Sequence, residues 1–196
     1  MKIEVLSDRP LNKRRIALFA PIRTGKTTIA RALIANGYFV VSFAEPVKRM
    51  LMALGLPEHD VRVDKTKPQA ILGGKTCRDA LTTLGTGWGR DMIGPDIWAR
   101  AAQHAIQQFG TRGFVVVDDL RYENEQAILE EEDFTFVKLV RDKEDAGVDH
   151  SSEANYSILR ADLEITLSDE SELEDHQRGH AVANLLTGDT INWKPY

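Results

Sequence analysis

RIALFAPIRTGKTTIA, residues 15–30, is the stretch on which the fold turns. Ile16, Ala17, Leu18 and Phe19 form a short apolar run, residues 20–24 make a turn-like connection, and Gly25-Lys26-Thr27-Thr28 opens a helical pattern. Strand, loop, Gly-Lys-Thr and helix in that order describe a phosphate-binding loop. Backbone N–H groups and the helix N-terminus face the anion, the lysine adds a point charge, and a threonine hydroxyl reaches Mg²⁺. The usual pattern begins with Gly six residues before the Lys; here Ala20 holds that place. The competing reading is an ordinary strand–turn–helix corner. The position of GKT directly after an apolar strand favours the phosphate site. Arg23, Thr24, Gly25, Lys26, Thr27 and Thr28 are therefore the nucleotide-binding candidates.

The same loop motif recurs in proteins of many sizes, so bulk properties narrow the class. A chain of 196 residues, 42% hydrophobic and 28% charged, suits one α/β domain with its own core. A net charge of -5 argues against a polybasic grip on nucleic acid. The single Cys77 excludes an internal disulfide and a multi-cysteine zinc site, which fits a reducing compartment. No apolar run is long enough to span a membrane and the N-terminus lacks a signal-peptide core, so the expectation is a cytoplasmic protein.

Outward from the loop, residues 1–13 read as an edge strand or an arm. YFVVSF, residues 38–43, reads as a second buried strand. AEPVKRMLMALG follows as a helix with Val47, Met50, Leu51 and Leu54 on its apolar face, leaving Lys48 and Arg49 off it. Lys48 is either a solvated charge or a group at the ligand crevice. Residues 56–75, with Pro57, Pro68 and Gly73-Gly74, suggest a mobile excursion. Thr76 and Asp79 form a capping box for RDALTTLGTGWGR. In that stretch Trp88 stands among three glycines with Arg90 beside it. It is either a buried plug or a stacking surface for a base. DIWARAAQHAIQQFG then gives a helix with Ile97, Ala101, Ala105 and Phe109 inward, Trp98 in the core and His104 exposed.

GFVVVDD, residues 113–119, is a buried strand ending in two carboxylates, the pattern expected where an Asp at a strand tip serves Mg²⁺. A polar end is also ordinary for a buried strand. FTFVKLV and ADLEITL supply the fourth and fifth strands, with a polar segment rooted at Arg141 between them. Ser171 and Glu174 cap a final helix.

Taken in order, GKTT at residues 25–28, LGTGWGR at 84–90, DLRYENE at 119–125 and HSSE at 150–153 resemble the motifs of bacteriophage deoxynucleoside monophosphate kinases. The resemblance spans roughly residues 15–188. It departs from the group at Ala20, at Thr27, where an Asp is common, and at Tyr122, where Phe is usual. It implies a single P-loop kinase domain over residues 1–196, with the three-layer fold of nucleoside monophosphate kinases. Such a domain has a five-stranded parallel sheet of order 2-3-1-4-5 and a short lid. It further implies ATP and Mg²⁺, transfer of a phosphoryl group to a deoxynucleoside monophosphate, a host-cytoplasm location for a phage protein, and a homodimer in many members. Lys26, Asp119, Arg121 and Arg141 become the catalytic candidates, with Thr27 and Asp119, or Asp118, for the metal. Lys48, Arg78, Trp88, Arg90 and Arg121 are the candidates for the acceptor. A different small-molecule P-loop kinase, such as one resembling dephospho-CoA kinase, is the nearer alternative. A nucleotide-binding module without turnover is the other.

Overall fold

The structure is a computed structural model that describes residues 2–21, 24–110, 113–141, 156, 158–167 and 175–188. The chain divides into two compact units, Met1–Val41 with Ala105–Tyr196, and Ser42–His104.

The first unit holds the sheet. Its strands are β1 (Lys2–Val5), β2 (Arg15–Phe19), β3 (Phe39–Val41), β4 (Val115–Val117), β5 (Thr135–Arg141) and β6 (Leu163–Leu167), in the spatial order β1-β6-β5-β2-β4-β3. The all-parallel five-stranded sheet is thus corrected to a mixed sheet of six: β1 runs antiparallel along β6, and every other pairing is parallel. Numbered without β1, the parallel strands lie across the sheet as second, third, first, fourth and fifth. β2 is flanked on both sides, and all five of its residues are buried. That is why Ile16–Phe19 runs apolar rather than alternating, with Arg15 at the strand's start.

The YFVVSF segment also differs from its expectation. Only Phe39–Val41 pairs, at the outer edge of the sheet, and Phe39 and Val40 stay exposed there. Apolar character alone does not tell a central strand from an edge one.

Helices α1 (Lys26–Ala35), α6 (Glu123–Glu131) and α7 (Asp175–Thr187) complete this unit. Ile29, Ala32 and Leu33 of α1 join Val182, Ala183 and Leu186 of α7 and the strand residues Ile16, Leu18, Val137 and Ile165 in one apolar cluster. Gly179 lets α7 come close to α1, since a Cβ there would lie 2.8 Å from Thr28 Cγ2 and 3.0 Å from the Thr28 carbonyl oxygen. Two arginines clasp the start of the sheet. Arg15 donates to the Glu132 carboxylate at 2.8 Å and to the Gly110 carbonyl at 2.8 Å. Arg9 pairs at 2.5 Å with Asp162, whose side chain is fully buried and also accepts from the Phe136 N–H and from Arg160.

The second unit contains α2 (Glu45–Ala53), α3 (Glu58–Arg62), a 3₁₀ turn at Ala70–Leu72, α4 (Cys77–Thr82) and a π-helical run at Thr83–Ile93. Residues 56–75 carry structure of their own. Arg62 binds Glu45 at 2.8 Å and Glu58 at 2.7 Å, and the Arg62 guanidinium holds the Glu45 carboxyl down at about 2. Of the apolar face expected on α2, Val47 and Leu51 are buried and Leu54 is exposed. The Thr76–Asp79 capping box is present, and burial raises the pKa of the Cys77 thiol above its ordinary value.

Helix α5 (Ile97–Gln107) bridges the two stretches of sequence, and its inward face is one residue out of register with expectation. Trp98, Ala99, Ala102 and Ile106 are buried, whereas Ile97, Ala101, Ala105 and Phe109 are only partly covered. His104 is exposed, as expected. No helix among the described residues is long and apolar enough to cross a membrane.

Candidate active site

Lys26 is the centre of the first unit's site. β2 delivers the chain into the loop, and α1 starts at Lys26 with Gly25 as its N-cap at φ 94°. That left-handed conformation is open to glycine at little cost, which explains the Gly of GKT. Ala20, by contrast, has no positive φ and is buried, so the methyl group in place of the usual first glycine fits without backbone strain. The Lys26 ammonium donates to the carbonyls of Ala20 at 2.6 Å and Pro21 at 3.3 Å, and lies 5.8 Å from the centre of the buried Tyr156 ring. Burial and the neighbouring Arg121 charge push its pKa down to about 8, against the pull of Asp118 and Asp119. These four charged groups therefore share one electrostatic neighbourhood.

Thr24 is buried and donates to the Pro21 carbonyl at 2.5 Å, closing the loop on itself. Thr27 is exposed at the start of α1, and Thr28 is half-buried. Arg23 falls outside the described residues, as do the His150–Glu153 motif, the expected lid and the Ser171–Glu174 cap.

Asp118 and Asp119 follow directly on β4, and the chain turns at Arg121 into α6. Glu125, a buried carboxylate, accepts from the N–H of Arg121 at 2.9 Å and of Tyr122 at 3.2 Å. The DLRYENE segment thus pins its own arginine: the second Glu caps the helix and fixes the backbone from which Arg121 projects. In the sequence Glu125 enters only as the last residue of the DLRYENE motif; its spacing three residues after the N-cap Tyr122 is the signal for the capping role.

A cleft beside the loop is lined by Thr24, Gly25, Thr28, Arg141, Arg178 and Gly179 among others. Arg141 is at the end of β5 and Arg178 on α7, so two guanidinium groups border the start of α1. Arg178 escaped sequence reasoning. The glycine after it was the clue, because a glycine inside a helix costs about 1 kcal/mol and marks a close approach.

In the second unit, the glycine-rich stretch carries the helical path on beyond α4. It winds as a π-helix, with the Gly94 N–H bonded to the Gly89 carbonyl at 2.9 Å. Such windings are frequent at functional sites. Trp98 fills the core here, 5% exposed, with its indole N–H on the Gly85 carbonyl at 2.7 Å. Gly89 is required by that ring, since a Cβ would collide with the Trp98 indole. Trp88 is 36% exposed and leans on Trp98 with ring centres 6.1 Å apart. The plug is therefore Trp98, and Trp88 offers part of its face outward. Arg90 reaches the Pro95 carbonyl at 3.4 Å. Arg78 is exposed on α4 and Lys48 is half-buried on α2, where its charge helps hold the Glu45 carboxyl down.

Among the described residues there is no cluster of three or more His, Cys, Asp or Glu able to hold a metal alone. A Mg²⁺ that binds mainly through nucleotide phosphates needs only one or two protein oxygens. The carboxylates beside Lys26 and the Thr27 hydroxyl are donors of the right kind.

No protein-family model matches the chain, and no curated protein matches it. Solved structures similar to it include the dephospho-CoA kinase from Campylobacter jejuni, at 14% identity and a TM-score of 0.47, over 88% of this chain and 97% of that one. A likeness of that size carries no weight for activity or substrate.

Proposed function

We propose that this chain is an ATP-dependent kinase of a small phosphorylated acceptor, and that the acceptor is a deoxynucleoside monophosphate. The observation that carries the proposal is the setting of Lys26. A lysine at the first turn of α1, drawn onto the loop carbonyls and close to Arg121 and an aspartate pair, is what a donor triphosphate needs. The ordered series GKTT, LGTGWGR and DLRYENE supports the finer reading of the acceptor.

Such a transfer asks for no nucleophile from the protein, because the acceptor phosphate is already ionised. The protein holds the two phosphates in line and offsets their charge. Lys26 and the N-terminal amides of α1 hold the donor phosphates, and Arg141 and Arg178 border them. Thr27 and Asp119 would hold a Mg²⁺ bound with ATP, which would supply neutralisation of phosphate charge. Arg121, fixed by Glu125, serves the transferring or accepting phosphate. On the second unit, Trp88, Arg90, Arg78 and Lys48 are the acceptor candidates that the motif resemblance supplies, an aromatic face suited to a base and cations suited to a phosphate.

The test is a coupled assay of ADP release with each deoxynucleoside and ribonucleoside monophosphate, with dephospho-CoA included. Turnover with one or more deoxynucleoside monophosphates supports the proposal. Turnover with dephospho-CoA alone replaces the acceptor, and ATP binding without transfer to any acceptor replaces the kinase with a binding module.

A further inference from the structure

We infer that β1 is a dimerisation edge, on which a second copy of this chain adds its own β1 antiparallel about a two-fold axis at Ile3. The inference stands apart from the kinase reading. Among the described residues β1 is the last strand of the sheet on its side, and all four of its residues are exposed. The pairing with β6 sets which way its backbone points. Leu6 donates its N–H to the Asp162 carbonyl at 2.9 Å, and the register Lys2 to Thr166 and Glu4 to Glu164 extends from that bonded pair. In an antiparallel ladder bonded and non-bonded pairs alternate. Lys2, Glu4 and Leu6 therefore face β6 with their peptide groups, and Ile3 and Val5 turn theirs outward, away from the sheet.

The outward groups and the side chains select one register for a second copy. With the axis at Ile3, the two Ile3 residues exchange both backbone hydrogen bonds, and Lys2 of each copy stands opposite Glu4 of the other. Non-bonded pairs bring side chains closest, so the two Lys–Glu pairs fall where charge matters most. An axis at Glu4 would set carboxylate against carboxylate. Charges on an edge strand ordinarily discourage pairing; here their alternating signs are complementary about a two-fold, the condition for an isologous interface. The apolar side chains fit the same arrangement. Ile3 and Val5 (62% exposed) share one face with Leu185, over a cavity of about 270 Å³. Joining two edges covers that face from both sides.

Sedimentation equilibrium of the full chain across a wide concentration range is the experiment. A reversible dimer is expected, weakened by salt. Ile3→Pro removes an outward N–H and leaves the bonds to β6 intact, and it should give a monomer with an unchanged far-UV spectrum. Lys2→Glu and Glu4→Lys should each weaken self-association by about tenfold or more. An equimolar mixture of the two should associate again, because the unlike variants restore opposite signs at both positions. A monomer at every concentration overturns the proposal, whether the edge stays open or is covered by another partner. A dimer untouched by Ile3→Pro overturns it too. Loss of the dimer in Ile3→Pro without any effect of the charge variants or their mixture overturns the register. Should Ile3→Pro also lower the melting temperature, the mixing experiment decides.

Discussion

A lysine whose pKa sits near 8 makes its protonation a measurable coordinate of ligand binding. In the ligand-free chain, burial and Arg121 favour the neutral amine of Lys26. Phosphates would favour the ammonium, so ATP binding should take up a fraction of a proton near pH 8, and affinity should fall as the pH rises past that point. Calorimetry in buffers of different ionisation enthalpy reads the uptake, and its absence would remove Lys26 from the donor site. The stability term has its own sign. Between the folded value near 8 and the ordinary 10.5, the unfolded chain holds more protons, so this residue makes stability rise with pH across that window. Lys26→Met should lower turnover at saturating ATP by about 10²–10³-fold. Its melting temperature should not drop, since burying the ammonium already works against folding. At Trp88, substitution by Phe should raise KM for the acceptor and leave the melting temperature near wild type, because the packing is carried by Trp98. A large loss of stability with an unchanged KM would return Trp88 to the core.

Elements show where sequence patterns suffice and where they fail. The turn into α1 and the capping box of α4 were legible because each depends on a few neighbouring residues. The inward face of α5 was not. Ile97, Ala101, Ala105 and Phe109 make one apolar stripe, and Trp98, Ala99, Ala102 and Ile106 make another beside it, so periodicity alone cannot choose. The run at Thr83–Ile93 continues the helix expected after the α4 capping box, although three glycines weaken any helix; what the sequence does not give is its π winding, with Gly89 yielding space to the Trp98 ring. Gly89→Ala should therefore cost about 1–3 kcal/mol through overpacking, and Gly87→Ala, where a Cβ meets nothing within 4 Å, much less. Denaturant melts of the pair make the comparison, and equal effects would deny the ring its role. In α6, Glu125→Ala should cost about 1–2 kcal/mol as a lost cap, and should raise KM for the acceptor by loosening the backbone of Arg121.

At the scale of the molecule, the parallel strands and their helices follow from alternating apolar runs, whereas the place of each strand in the sheet does not. β3 and β4 have similar composition; one lies at the edge and the other beside β2, a difference set by contacts far apart in the chain. The buried Asp162 is the clearest global lever. Burial works to raise its pKa, but Arg9, the Phe136 N–H and Arg160 together hold it below its ordinary value. Its contribution is therefore complete above the unfolded carboxyl value of about 3.9 and is lost as the pH falls through the lower folded one. Asp162→Ala should cost about 1–3 kcal/mol, since it leaves the buried Phe136 N–H without its acceptor and takes a carboxylate partner from Arg9 and Arg160, and should flatten the acid limb of the stability curve. An acid limb identical to wild type would place the acid sensitivity elsewhere.

The order of the strands also sets a timetable for synthesis. β2 leaves the ribosome early, yet its neighbours β4 and β5 begin at residues 115 and 135, and β1 waits for β6 at residue 163. A nascent chain halted short of β5 carries a β2 with one flank bare, so its apolar strand depends on chaperones or on speed until the last third is made. Among chains of this size, such late closure belongs with slow folding.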